Sequence, residues 1–164
     1  MFDDLLEANR QYQTDFHDSG MAGTAAKRLA VLTCIDSRID PLAMLGLRPG
    51  DAKILRNAGA RAVDSLRSLV LAANLLGVNR VCVVQHTDCA MVGPRSGEIA
   101  ATISAARGVD ASGWEFLGST DQAATLAHDI ALIRSCPLMP PGLQVGGFIF
   151  DVHSGELVPS PPAT

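Results

Sequence analysis

The segment Leu29-Ala30-Val31-Leu32-Thr33 is a short apolar run, and similar runs follow at residues 52–55 and 81–84. Runs that are apolar at successive positions are typical of strands covered on both faces, as in a parallel sheet. Helical patterns separate these runs. Residues 40–47 begin with Asp-Pro, and residues 63–76 repeat apolar side chains at helical spacing. The alternation predicts an α/β fold with a mostly parallel central sheet flanked by helices.

The rest of the chain continues this alternation. A helix is predicted over residues 118–134, a strand over 145–152 and a short extended segment at 157–158. We therefore expect residues 1–164 to form one domain, whose α/β core spans residues 27–158.

Both ends of the chain are expected to lie outside that core. Residues 1–19 are predicted to form a helical arm, because apolar and aromatic side chains recur at roughly helical spacing over residues 2–16. A Gly/Ala-rich connector at 19–26 separates the arm from the core. The apolar stripe of the arm must be buried against its own domain or against another subunit, and the pattern allows both. Residues 159–164 are expected to form a frayed tail.

Composition excludes several classes of protein. The chain has 164 residues, 48% of them hydrophobic, and a net charge of −4, which excludes a disordered chain. The acidic balance and the scarcity of aromatic side chains argue against a nucleic-acid partner. The acidic N-terminus and the lack of a long apolar stretch predict neither a secretory signal nor a membrane span, so a cytoplasmic location is expected. The four cysteines are then expected to be thiols, metal ligands or buried side chains rather than disulfides.

Two short motifs follow predicted strands. Cys-Ile-Asp-Ser-Arg at 34–38 follows the first strand, and His-Thr-Asp-Cys at 86–89 follows the third. Because the carboxyl ends of parallel strands meet at one rim of the sheet, Cys34, His86 and Cys89 could converge there. Two thiols and an imidazole suit Zn²⁺, and three protein ligands leave a fourth position open, as in catalytic zinc sites.

Each of these residues alone has a simpler interpretation. A cysteine at a strand end is most often a buried small side chain, and a histidine after a strand is most often hydrogen-bonded within its loop. Asp36 and Arg38 alone would be an ordinary loop ion pair. Cys82, inside the third predicted strand, is expected to belong to the core, and Cys136 to be a partly buried loop thiol. The motifs taken together favour a metal site.

The motifs also resemble those of a known family. The sequences at 34–38 and 86–89, together with Arg-Asn-Ala-Gly at 56–59, are similar to those of the β-class carbonic anhydrases, and they occur in the same order. The closing segment 147–157, GFIFDVHSGEL, is similar to that family's last strand and turn. The likeness covers residues 5–158. The short length of the chain and its His-Thr-Asp-Cys motif indicate the compact bacterial branch of the family.

The resemblance implies a zinc enzyme. It implies one Zn²⁺ per chain, bound by Cys34, His86 and Cys89. Asp36 would be the catalytic carboxylate, paired with Arg38, and would accept a hydrogen bond from a zinc-bound hydroxide. In a closed state Asp36 would instead become the fourth metal ligand. The reaction would be the reversible hydration of CO₂ to bicarbonate and a proton.

The resemblance carries further expectations and one departure. Gly59 would line the substrate pocket, and the N-terminal arm would pack on a partner subunit in a homodimer, which could pair into a tetramer. The family usually has Gly after the second ligand cysteine, where this chain has Ala90. Such an Ala costs little only where φ is negative. Two alternative functions stay open, which are hydrolysis of CS₂ or COS at the same zinc site and a zinc-binding domain without catalytic activity.

Overall fold

The sheet is five-stranded and mostly parallel, in the order β2-β1-β3-β4-β5. A computed structural model describes residues 1–18 and 20–160. The first four strands in space are parallel, and β5 pairs with β4 in the antiparallel direction. The elements in chain order are α1 Asp3–Asp15, β1 Leu29–Cys34, α2 Pro41–Met44, β2 Ala52–Asn57, α3 Ala62–Leu75, β3 Arg80–His86, α4 Ser96–Arg107, α5 Gln122–Ser135, β4 Gln144–Phe150 and β5 Leu157–Ser160.

The predicted α/β class is confirmed, and the apolar runs form the inner strands of the sheet. Side chains alternate between the two faces, so Leu32 and Val83 pack towards α3 and α5, whereas Val31 and Val84 pack towards α2. All four are fully buried. Burial on both faces explains why these strands have no polar alternation.

The helices begin and end at caps and turns, which apolar periodicity locates only approximately. The Asp40 side chain accepts hydrogen bonds from two backbone N–H groups of α2, as expected for an N-cap followed by proline. The predicted extension of this helix to residue 47 was wrong, because the chain turns at Gly46, where φ is 61°. The helix predicted from 118 begins only at Gln122, after an Asp121 cap.

The predicted fraying from residue 159 was wrong for two residues. Pro159 and Ser160 belong to β5 and lie opposite Phe148 and Gly147 of β4. Residues 161–164 of the expected tail, and residue 19 of the expected arm and connector, lie outside the described residues.

The N-terminal helix makes little use of its own domain. Not one residue of α1 is buried, and its apolar side chains are more than half exposed, among them Leu5 at 61% and Leu6 at 57%. The sequence allowed the apolar stripe of α1 to be buried against its own domain or against another subunit. In the structure it is not buried against its own domain. No described helix is long and apolar enough to cross a lipid bilayer.

Candidate active site

Two adjacent inner strands bring three metal-binding side chains together. Cys34 is the last residue of β1, His86 is the last residue of the neighbouring β3, and Cys89 lies three residues further along. The side chains are 4%, 1% and 7% exposed, respectively. Their sulfur and nitrogen ligand atoms all lie within 4.8 Å of one another. The predicted convergence at one rim of the sheet is confirmed.

The geometry of this cluster fits a tetrahedral zinc ion. The sulfurs of Cys34 and Cys89 are 3.9 Å apart. Two ligand sulfurs about 2.3 Å from a tetrahedral Zn²⁺ would be about 3.8 Å apart. Nδ1 of His86 lies 2.8 Å from the Thr87 carbonyl oxygen, which can only accept, so Nδ1 carries the proton and Nε2 keeps its lone pair. Nε2 is buried without a hydrogen-bond partner among the described residues, so it is available to a metal ion.

The electrostatics of the two thiols also suit a cation. The hydrogen bond between the sulfurs lowers the pKa of Cys34 and raises that of Cys89, because one proton is shared by two closely spaced groups. Burial acts to lower the pKa of His86, but the Cys34 sulfur, the Thr87 carbonyl and the Asp36 carboxylate together outweigh burial and raise it. A divalent cation would allow both sulfurs to be ionised at this separation.

Asp36 and Arg38 form a two-point ion pair beside the cluster. Nε of Arg38 donates to Oδ1 of Asp36 at 3.0 Å, and Nη2 donates to Oδ2 at 2.8 Å. These bonds lower the pKa of Asp36 and raise that of Arg38. Oδ2 of Asp36 lies 3.8 Å from Nε2 of His86, so the carboxylate faces the cluster while both of its oxygens are held by Arg38. The expectation that Asp36 becomes a metal ligand in a closed state stays a prediction.

Two further polar side chains fix the backbone of the cluster: Arg56, which lies in the 56–59 motif but was given no role from the sequence, and Gln122, which the sequence analysis did not single out. Nε of Arg56 donates to the Cys34 carbonyl at 2.8 Å, and its Nη2 donates to the Asp36 carbonyl at 2.7 Å. Nε2 of Gln122 donates to the His86 carbonyl at 2.8 Å. Because Arg56 lies at the end of β2, its proximity to the site could have been predicted from the sequence. Gln122 is 36 residues from His86, and no local pattern predicts their contact.

The loop glycine and the departure at position 90 are both explained by the backbone. Gly59 is buried with φ of 76°, and its N–H points at the Cys34 sulfur, 3.4 Å away. Its proposed role in lining the substrate pocket stays a prediction. In the loop of the second motif the left-handed residue is Asp88, with φ of 55°, rather than Ala90. The alanine is therefore accommodated without backbone strain.

The remaining cysteines are not part of the cluster. Cys82 is buried inside β3, where desolvation raises its pKa to about 12. Cys136 follows α5 and is partly buried. Both locations agree with the predictions from the sequence.

Comparison with known proteins identifies the family. A sequence model described as carbonic anhydrase matches residues 29–109. β-Carbonic anhydrase 1 of Mycobacterium tuberculosis is 30% identical over 156 residues, which cover 94% of each chain. The chain belongs to the β-carbonic anhydrase family. Its buried Cys–His–Cys cluster is a candidate metal site for an enzyme of this family.

Two further similarities describe the range of the family. A crystal structure of carbonic anhydrase from Streptococcus mutans superimposes with a TM-score of 0.91 at 35% identity, and 98% of this chain and 97% of that chain are covered. A carbon disulfide hydrolase from Saccharolobus solfataricus is 31% identical over 157 residues, covering 80% of this chain and 76% of that protein. The scaffold therefore occurs in relatives named for two different substrates.

Proposed function

We propose that this β-carbonic anhydrase family member catalyses the reversible hydration of CO₂ to bicarbonate and a proton. The observation that carries the proposal is the Asp36–Arg38 pair, which faces the buried Cys34–His86–Cys89 cluster. A closed structural zinc site needs four protein ligands and no carboxylate beside it. Three ligands with an arginine-held carboxylate are suited to a site that must orient a water.

The three clustered side chains would hold one Zn²⁺ per chain. Bound there, Zn²⁺ lowers the pKa of a coordinated water towards about 7 and so supplies a nucleophile at neutral pH. The thiolates of Cys34 and Cys89 balance the charge of the ion, and His86 binds as the neutral ring through Nε2. The backbone bonds from Arg56 and Gln122 keep the ligands in place.

Asp36 has the role of orienting the nucleophile. The bonds from Arg38 keep its carboxylate ionised, and an ionised carboxylate can only accept hydrogen bonds. Asp36 therefore accepts the O–H of the attacking group and directs the lone pair of that group towards CO₂. Arg38 also donates to the Asp88 carbonyl at 3.2 Å, which joins the two loops of the site.

The decisive experiment combines metal content with CO₂ hydration measured by stopped flow between about pH 6.5 and 9. We expect one zinc per chain and clear turnover. Arg38→Ala should keep the zinc and lose at least about 100-fold in turnover, because the carboxylate is no longer held in its orientation. Arg10→Ala is the matched control, since Glu7, also on the exposed α1, is the only partner of Arg10 in the described part of the chain. Unchanged turnover in Arg38→Ala would contradict the role of the pair.

Hydrolysis of CS₂ or COS is the second candidate, because carbon disulfide hydrolases are among the relatives. Attack on these sulfur analogues is chemically parallel to attack on CO₂. Release of sulfide from either compound with negligible CO₂ hydration would favour this function. Bound zinc without turnover on any of the three substrates would indicate a zinc-binding domain without catalytic activity.

We also propose that the chain forms homodimers, which could pair into tetramers, through its N-terminal helix. The apolar stripe of α1 is exposed, and three of its first five residues, Asp3, Asp4 and Glu7, are acidic. A groove of about 580 Å³ on the α2 side of the sheet has an apolar floor and the cations Lys27 and Arg80 in its wall. The groove of one copy thus complements the helix of another in charge and hydrophobicity.

Light scattering on the full chain tests this assembly. We expect a dimer or tetramer at micromolar concentration, and Leu5→Glu should shift it to a monomer. Gln11→Glu adds the same charge on the opposite face of α1 and should leave the mass unchanged. A monomeric wild-type chain would refute the proposal.

A further inference from the structure

A buried ion pair joins the turn after β2 to α5. Nε of Arg61 donates to Oδ2 of Asp129 at 2.7 Å. The side chain of Arg61 is 12% exposed, and that of Asp129 is 0% exposed. Nη1 of Arg61 also donates to the Leu117 carbonyl at 2.8 Å. One guanidinium therefore holds together three segments that are far apart in the sequence.

The backbone of Arg61 is held independently by the end of β2. Oδ1 of Asn57 accepts from the Arg61 N–H at 2.7 Å, and Nδ2 of Asn57 donates to the Arg61 carbonyl, also at 2.7 Å. Between these residues lie Gly59 and Ala60, both left-handed, with φ of 76° and 58°. An alanine in this conformation is strained and is kept there only when neighbouring contacts hold the backbone in place. The Asn57 hydrogen bonds and the Arg61 ion pair are the contacts that hold this turn.

The turn closed in this way places one N–H against the candidate metal site. Gly59 lies two residues before Arg61, and its N–H points at the Cys34 sulfur at 3.4 Å. On its other side, a Cβ at this position would lie 3.2 Å from Cβ of Met91. The turn therefore leaves little room for a Cβ on the side of Met91, and the bonds of Arg61 to Asn57 and Asp129 hold the far end of the turn. Hydrogen bonds to a ligand atom orient that ligand and tune its affinity for a metal.

Stability alone does not account for the ion pair. A buried pair can usually be replaced by apolar side chains of similar volume without loss of stability, and often with a gain. Here Oδ1 of Asp129 has no hydrogen-bond partner in the described part of the chain, which adds to the cost of burying this carboxylate. The ion pair fixes the direction of the Arg61 side chain, which apolar side chains of similar volume would not do.

We propose that Arg61 and Asp129 are positioning residues that hold the Gly59 N–H on the Cys34 sulfur. The proposal rests on the proposed function to the extent that Cys34 is a metal ligand. Neither residue touches the reacting atoms, so both act through the turn at residues 57–61. The two Asn57 hydrogen bonds stay when the pair is lost, so the turn loosens rather than opens, the N–H···S bond weakens and metal affinity falls.

The test compares three variants with the wild-type chain. Asp129→Asn keeps the shape of the side chain and removes its charge. The double variant Arg61→Met/Asp129→Leu replaces the pair with apolar side chains. Arg134→Met is the control, because Arg134 lies on the same helix but, within residues 1–18 and 20–160, donates only to the Val145 carbonyl. The readouts are the Gly59 amide proton resonance, Zn²⁺ affinity by chelator competition, and Tm.

In Asp129→Asn and in the double variant, we expect the Gly59 amide proton to move upfield and Zn²⁺ affinity to fall about 10- to 100-fold. The double variant should keep the Tm of the wild type, which separates positioning from stability. Arg134→Met should match the wild type in both the resonance and the affinity.

The proposal is overturned if the double variant folds and keeps both the Gly59 resonance and the wild-type Zn²⁺ affinity. A wild-type chain that binds no Zn²⁺ would refute the proposed function. In that case the Gly59 resonance of the metal-free variants, compared with that of the metal-free wild type, still decides whether the pair holds the N–H on the sulfur.

Discussion

Gly59→Ala tests the backbone argument at the candidate site most directly. Gly59 has φ of 76°, and an added Cβ would lie 3.2 Å from Cβ of Met91 and 3.5 Å from its Cγ. The substitution therefore introduces two separate costs, which are the left-handed conformation of an alanine and a short contact with a neighbouring segment of the same rim.

The two costs can be given magnitudes. The left-handed conformation costs about 1–2 kcal/mol for a residue with a Cβ. The contact forces Met91 back by a few tenths of an ångström, so we expect a total loss of about 2 kcal/mol in the free energy of unfolding. In a chain of this size each kcal/mol lowers Tm by about 2–4 °C, which predicts a decrease of about 4–8 °C.

Gly46→Ala is the matched control. Gly46 has φ of 61°, but no atom lies within 4 Å of a Cβ built there. It therefore shares the conformational cost without the contact, and we expect its Tm to fall by less than that of Gly59→Ala, by about 2–4 °C for each kcal/mol of conformational cost. Adding Met91→Gly to Gly59→Ala removes both Cβ and Cγ of residue 91 and with them the contact, and a double-mutant cycle with Met91→Gly alone then isolates that contact.

Thermal and urea unfolding provide the free energies, and chelator competition provides the Zn²⁺ affinity. The added methyl pushes the Gly59 N–H away from Cys34, so Gly59→Ala should also lower Zn²⁺ affinity, whereas Gly46→Ala should not. A Gly59→Ala chain as stable as the wild type would refute the conformational argument. Equal losses in the two variants would refute the contribution of Met91.

Four further outcomes are expected. Cys89→Ser should lose most of the bound zinc in a metal assay while Cys136→Ser keeps it, and equal retention would contradict the ligand assignment. Because Arg38 lowers the pKa of Asp36, the ionised carboxylate contributes stability above about pH 4 that is lost as the pH falls. Asp36→Asn should therefore reduce the fall in the free energy of unfolding below about pH 4, measured by urea unfolding. An unchanged pH dependence would contradict a stabilising role for the pair. Asp40→Ala removes the α2 cap and should cost about 1 kcal/mol by the same method. Gly147→Ala places a methyl against α5 side chains and should cost about 1–3 kcal/mol, measured as a lower Tm.

The inner sheet was predictable because its signal is local. Strands buried on both faces must be apolar at successive positions, and the predicted runs lie within β1, β2 and β3. The convergence of Cys34 with His86 followed from the same reasoning, because a parallel pair brings its carboxyl ends to one rim.

The helix α4 was not predicted, for a physical reason. Its sequence, SGEIAATISAAR, places only Ala100 in the buried class, so no apolar stripe marks one face. The cap is also atypical, since Arg95 stands at the N-cap and Glu98 accepts a hydrogen bond from the Arg95 backbone N–H. The helix ends at Arg107 and is capped by Gly108, and its other conventional signals are single charges in its first and last turns, Glu98 and Arg107.

The long-range hydrogen bonds and the ion pair around the candidate site could not be predicted from the sequence, for a different reason. Arg61 and Asp129 are 68 residues apart, and Gln122 reaches His86 across 36 residues. These contacts depend on how α5 is placed over the sheet, which no short motif encodes. The ligands, the Asp36–Arg38 pair and the supporting Arg56 and Gly59 lie in short contiguous motifs, whereas Arg61, Gln122 and Asp129 do not.

The exposure of α1 has a consequence for the conformational equilibrium of the arm. A helix of 13 residues without buried side chains is only marginally stable in water, because nucleation is costly and few hydrogen bonds repay it. Its own ion pair between Glu7 and Arg10 adds a few tenths of a kcal/mol. The arm is therefore a helix to the extent that another surface covers it. In the proposed assembly, dilution uncovers the arm, so far-ultraviolet ellipticity should weaken while the sheet stays intact, and the helix content of these 13 residues then reports association.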